Sequence, residues 1–227
     1  MVMSRIASII TGAHPGEEEQ RQPPAGLVIR RPTSADMDAL DGVFRRSWAK
    51  TYWNSMAEPE RFLELPLNGR VKSNSLCAIL DGQPVGFIEA SRQVYERSFF
   101  WKPYETEVVS VSRLYVDPLH QGHGIGHELL AAIRRCYPGA ASINLTALAG
   151  TTPVEEFYRR CGFQRIVTYV TDDGEVEPFR LHLFQCPANR LPKSRLPEAA
   201  LCFDAVEPLR CPRQNASRAI DGPREPD

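Results

Sequence analysis

With 227 residues, 42% of them hydrophobic and 24% charged, the chain has the make-up of an ordinary globular domain with length left over for tails. Its formal net charge of −1 provides no overall basic field for nucleic acid or an anionic membrane surface. No apolar run approaches the ~18 residues that a membrane span requires. The opening stretch "MVMSRIASIITGAHPG" carries one Arg and an apolar patch too short for a secretory signal. The cysteines at 77, 136, 161, 186, 202 and 211 form no CxxC pair. They are expected as free, mostly buried thiols in a reducing compartment, which implies a cytoplasmic protein.

Residues 1–26 end in the polar, proline-bearing "GEEEQRQPPAG" and read as a lead-in. "LVIRRP" reads as a strand. Ser34 and Asp36 then open a helix over "SADMDALDGVFRRSWAKTYW", with Met37, Leu40, Val43, Phe44 and Trp48 on one stripe. A second, weaker helix is expected from Glu58 to Val71. "SLCAIL" and "QPVGFIEA" form a hairpin around Asp81-Gly82. The aromatic "SFFWKPYE" leads into the strand "EVVSVSRLYVDP". A helix covers 124–137 and stops at Pro138-Gly139, and "SINLTALA" is a strand. "TTPVEEFYRRCGF" is a helix with Thr152 as cap, Pro153 at its first position, Glu155 completing a capping box and Gly162 as terminator. Two final strands, near 164–171 and 178–185, flank Asp172-Asp173-Gly174. The remainder, with seven prolines between 187 and 227, is expected to be mostly irregular, although "EAALCFDAV" has the pattern to dock. The order β-α-α-β-β-β-α-β-α-β-β implies one mixed α/β sheet with helices on both faces, spanning 27–185 between the lead-in and a tail at 186–227.

Two stretches carry chemistry. In "EVVSVSRLYV", Val109 and Val111 alternate with Ser110 and Ser112, but the next apolar pair is Leu114 and Val116. A step of three rather than two flips the apolar face unless an extra residue is absorbed near Ser112-Arg113 as a β-bulge. The alternative is a strand buried on both faces, which keeps no phase. A bulge leaves backbone N–H and C=O groups open to an extended, amide-bearing ligand. Directly afterwards, "HQGHGIGHELLAAI" opens a helix with three glycines and no Ser, Thr, Asp or Asn cap. Bare N–H groups at the positive end of a helix dipole accept an anion, and glycines let a bulky diphosphate come close; the alternative is a glycine-rich turn with no ligand. The spacing fails both the dinucleotide fingerprint and the P-loop pattern.

"QGHGIG" at 121–126 resembles the Q/R-x-x-G-x-G/A motif of the GNAT acetyltransferase superfamily. "LYVDP" and "PVEEFYRRCGF" stand where that family has its bulged fourth strand and its Phe-Tyr-containing helix, and the likeness extends over about 27–185. The resemblance implies a central, mostly antiparallel mixed sheet with a splayed fourth strand. It implies acetyl-CoA as cosubstrate and no metal. The diphosphate would lie on Gln121, Gly122, His123, Gly124, Ile125 and Gly126, and the pantetheine would lie along Leu114, Tyr115 and Val116. The thioester would then sit in the gap opened by the bulge.

Amide formation needs a neutral amine, an oxyanion site and a proton for the departing thiolate. By the resemblance the acid is Tyr158, although its place on the stripe Val154, Phe157, Tyr158 and Cys161 equally suits a core residue. Positions where the family often has a base hold Ser110 and Ser112. Glu107 is the nearest carboxylate, with Glu89 on the preceding strand as a second, and either also suits a plain surface role. The family's frequent Asn before the second motif helix is missing, and Thr146 or Thr151-Thr152 stands in its place. His120, His123 and His127 lack the Glu of an H-E-x-x-H metal site. Trp48, Tyr52, Trp53 and the cluster Phe99, Phe100, Trp101 and Tyr104 wall an acceptor pocket, or serve helix packing and a homodimer contact. Glu58, Glu60 and Glu64 would attract a cationic amine. The expected activity is acetyl transfer from acetyl-CoA to a primary amine, of a small molecule first and of a protein N-terminus or lysine second. A non-catalytic acyl-CoA-sensing module is the alternative of another class.

Overall fold

The computed structural model describes residues 22–52, 75–99, 102–171 and 179–205. The expected helix over Glu58–Val71, together with Trp53, Phe100, Trp101 and the Asp172–Gly174 turn, lies outside them. Eight strands form one sheet in the order β6-β7-β5-β4-β3-β2-β1-β8. They are β1 (Val28–Arg30), β2 (Ser75–Leu80), β3 (Gln83–Phe99), β4 (Lys102–Val116), β5 (Ser142–Leu148), β6 (Gln164–Thr171), β7 (Phe179–Pro187) and β8 (Leu201–Cys202). Neighbours run antiparallel except β4 with β5 and β1 with β8, which are parallel. Three α-helices are described: α1 (Met37–Tyr52), α2 (Ile125–Cys136) and α3 (Thr152–Arg160).

The two sheet faces bury separate clusters. Leu40 and Phe44 of α1 pack with Cys77, Ile79 and Phe87, and Met37 and Trp48 of the expected stripe close over them. On the other face, Ile125, Leu129, Leu130 and Ile133 of α2 lie against Ile29, Leu76, Ile88 and Val109, all at most 1% exposed. Each such aliphatic side chain contributes about 1.5–3 kcal/mol on burial, so α2 is fixed to the sheet along its whole length. At the start of α1, both carboxylate oxygens of Asp36 accept from the Arg30 guanidinium at 2.8 Å. The backbone N–H and hydroxyl of Thr33 donate to the same side chain at 2.7 Å. Arg30 and then these donors hold the Asp36 carboxyl well below the usual carboxylate range, against the opposing effect of burial. The hairpin between β2 and β3 turns through Asp81 at φ 50° and Gly82 at φ 75°, the left-handed pair that an Asp-Gly turn supplies.

The phase slip in β4 is a bulge. Glu89 of β3 faces Arg113 and Ala90 faces Val111, which leaves Ser112 as the extra residue. Ser112 is exposed, and its hydroxyl donates to the Glu89 carbonyl at 3.4 Å. Before the bulge Val109 and Val111 face the α2 side, and after it Leu114 and Val116 do. Tyr115 turns to the α1 side and meets Phe44 edge-on at 4.9 Å.

Two expectations change. Helix α3 is capped at Thr151, one residue early, and no capping box forms. The Thr151 hydroxyl instead donates to the Leu148 carbonyl at 2.6 Å, and Glu155 accepts from the Gly150 N–H at 3.1 Å. Among the described residues, the stretch from 187 to 205 holds only short elements, and it is packed on the sheet and α2. Leu191 and Leu201 are buried, and β8, from the "EAALCFDAV" segment, pairs with β1.

Candidate active site

Strand β4 pairs with β5 only from Val108 with Ser142 to Val111 with Leu145. Beyond that point the bulge turns β4 away, and residues 112–116 face no β5 partner while β5 continues to Leu148. The backbone direction follows from two bonds. The Ala141 N–H donates to the Glu107 carbonyl at 2.9 Å, so odd residues before the bulge point toward β5. The Asp117 N–H donates to Val85 of β3 at 2.8 Å, so odd residues after the bulge point the other way. By strict alternation, Leu114 and Val116 turn their N–H and C=O groups into the split. The Val116 carbonyl already accepts from the Gln121 side-chain amide at 3.0 Å, which pins the glycine loop to the strand.

The loop is held from the other face as well. Asp117, 5% exposed, caps the turn Pro118–His120 through the Leu119 N–H at 3.0 Å and receives Arg46 of α1 at 2.9 and 2.5 Å. Burial works to raise its pKa, but the Leu119 N–H and the Arg46 guanidinium outweigh that and hold it below the usual carboxylate value. Gly122 and Gly124 adopt φ of 79° and 78°, where an L side chain is strained, and Gly124 is the N-cap of α2 with no side-chain cap. The first bond inside the helix is from the Glu128 N–H to the Gly124 carbonyl at 3.0 Å. The N–H groups of Ile125, Gly126 and His127 therefore have no acceptor within the helix.

A cavity of about 1000 Å³ joins the split to this helix start. Among the expected site residues, Leu114, Tyr115, Val116, Gln121, Gly122, Gly124, Ile125, Gly126 and Tyr158 line it. Two do not. His123 is exposed, with its Nδ1 3.0 Å from the Gln121 carbonyl, and it precedes α2. Glu107 sits at the far, β5-paired end of β4 and is engaged by Arg92 at 3.0 Å across the β3–β4 ladder, so the structure does not bring it to the cavity. Glu89 is buried beside the bulge, 3.8 Å from Arg113, and is also absent from the lining.

Tyr158 is 8% exposed and packs among Phe157, Phe163 and Phe184 with ring centroids 5.2–5.7 Å away. It is thus both a core ring and a cavity residue. Cys161 shares the lining, and burial pushes its thiol up to about 12, which keeps it protonated at neutral pH. Cysteines 77, 136, 161, 186 and 202 are all free thiols.

Sequence reading missed the cations of this cavity. Lys50 of α1, Arg160 of α3 and Arg190, Lys193 and Arg195 from the segment after β7 all line it. The last three stand together as "RLPKSR", but in a stretch read as irregular. Also missed was Glu128, 1% exposed, which accepts from the Ser194 hydroxyl at 2.6 Å and the Arg195 N–H at 3.1 Å. Burial opposes its ionisation, yet His127, Ser194 and Arg195 together pull its pKa below the ordinary value. Among the described residues no group of three His, Cys, Asp or Glu side chains is disposed to hold a metal ion. No helix among them is long and apolar enough to cross a membrane.

A mixed sheet split at a bulged strand carries an uncapped, glycine-opened helix start at the mouth of the split. Residues 72–165 match the family described as acetyltransferase (GNAT) domain. No curated protein matches it in sequence. The fold is shared with the apo form of YjaB from Escherichia coli, at 21% identity and a TM-score of 0.53, over 70% of this chain and 96% of that one. It is shared with Naa20 of Chaetomium thermophilum, solved with a bisubstrate analogue, at 18% identity and a TM-score of 0.51, over 71% and 87%. NAA60 of Arabidopsis thaliana, also solved with a bisubstrate analogue, aligns at 19% identity and a TM-score of 0.50, over 71% and 98%.

Proposed function

We propose that the protein transfers an acetyl group from acetyl-CoA to the primary amine of a small molecule, by direct attack of the amine on the thioester. The observation that carries this reading is the continuity of one cavity from the bare N–H groups of α2 to the Leu114–Val116 stretch, which β5 does not pair, and on to Tyr158. Ile125, Gly126 and His127 would hold the diphosphate through N–H groups reinforced by the helix dipole. The Leu114–Val116 backbone would hold the pantetheine amides in the manner of an added strand. The reactive carbonyl then falls beside the bulge, where backbone N–H groups stabilise the oxyanion.

As the carbon–sulfur bond breaks, the departing thiolate needs a proton, and Tyr158, which lines the cavity, would give it from its hydroxyl. Cys161 is unsuited to carry the acetyl group, because its protonated thiol is a poor nucleophile, so transfer without a covalent enzyme intermediate is the consistent route.

The test is free-thiol release from acetyl-CoA, followed with a panel of small primary amines and with peptides bearing a free N-terminus or a lysine. Turnover with small amines supports the proposal. Turnover confined to peptides would reassign the acceptor, and tight acetyl-CoA binding with no turnover on either set would leave a sensing module.

A further inference from the structure

The segment leaving β7 crosses back over the start of α2 and brings Arg190, Lys193 and Arg195 to the cavity. It is held there by contacts of its backbone, Leu191 and Ser194. Leu191 is 2% exposed, and its carbonyl accepts from Arg134 at 3.0 Å. Ser194 and the Arg195 N–H are gripped by the buried carboxylate of Glu128. Gly162, at φ 90°, leaves room for the Arg190 carbonyl, which an added Cβ would meet at 3.1 Å. A segment anchored at four points presents its cationic residues in a fixed place.

These charges exceed what a diphosphate on the helix start calls for. They are also unsuited to the acceptor, because a primary amine with a pKa near 10.4 arrives as a cation and is repelled by them. Coenzyme A carries one further anion, the phosphomonoester on its ribose, with a charge of about −1.5 to −2 at neutral pH. Arg and Lys clustered on one segment, with Arg160 lining the same cavity, match that chemistry.

Resting on the coenzyme A reading above, we infer that residues 190–195 form a strap that binds the ribose phosphate and makes the protein selective for coenzyme A over its dephospho form. The strap binds the phosphate, and the helix start binds the diphosphate.

The experiment is calorimetric titration of the full chain with coenzyme A and with dephospho-coenzyme A, repeated on the double variant Lys193→Gln/Arg195→Gln. The native protein is expected to prefer coenzyme A by at least about ten-fold, the effect of one charge-assisted hydrogen bond. The variant is expected to lose that preference through weaker coenzyme A binding. Equal affinities in the native protein, or a preference that survives the double substitution, would overturn the strap. The native ratio decides the matter by itself if the variant does not fold. If neither molecule binds the native protein, the coenzyme A reading falls, and the strap falls with it.

Discussion

Glu128→Gln tests whether the strap is held by charge. The side chain is 1% exposed, and its two oxygens take the Ser194 hydroxyl at 2.6 Å and the Arg195 N–H at 3.2 and 3.1 Å. Gln keeps the shape and removes the charge. A hydrogen bond to a charged group is worth about 1.5–3 kcal/mol against roughly 0.5–1.5 for a neutral one, so two such bonds lose about 2 kcal/mol. The new amide N–H₂ also faces donors, which brings the expected loss to about 2–3 kcal/mol. For a chain of this length that is a fall in Tm of roughly 4–12 °C. Thermal unfolding at neutral pH measures it, and amide hydrogen exchange at Arg195 and Leu196 localises it to the strap. Glu156→Gln is the control. Glu156 is 53% exposed and only 3.8 Å from Arg160, and it is expected to cost no more than about 0.5 kcal/mol. If Glu128→Gln melts like the control and leaves exchange at Arg195 unaltered, the carboxylate does not hold the strap.

Tyr158→Phe keeps the ring among Phe157, Phe163 and Phe184 and removes only the hydroxyl. Turnover is expected to fall by about 10²-fold or more, the usual scale for loss of a general acid, with acetyl-CoA affinity nearly unchanged. An unchanged rate would make Tyr158 a core residue and nothing else. Acid stability follows from Asp36, Asp117 and Glu128, whose folded pKa values lie below their ordinary values of 3.8, 3.8 and 4.5. Their contribution is complete above the ordinary values and is lost as pH falls through the folded ones, because the unfolded chain takes up protons first. Urea unfolding across the acid range is expected to show stability declining below about pH 4.5. Stability that rose on acidification there would contradict the bonding assigned to these three carboxylates.

Much of this protein is legible in its local chain. The stripe of α1, the Asp-Gly hairpin and the glycine-opened start of α2 follow from side-chain period and backbone conformation, which are properties of neighbouring residues. The bulge at Ser112 was readable for the same reason, because a period of two that slips by one has few remedies. The fate of carboxylates and cations was not readable in this way. Glu107 lies on the same strand as Leu114 and Val116 but is taken by Arg92 of the neighbouring strand, and only the register of β3 against β4 decides that pairing. Arg190, Lys193 and Arg195 carry no periodic signal. Their placement depends on long-range contacts, from Glu128 to Ser194 and from Arg134 to Leu191, between residues about sixty positions apart. Patterns within one element set the strands, the helices and the anion-ready loop. Which charges face the cavity was settled by contacts that exist only after the sheet has assembled.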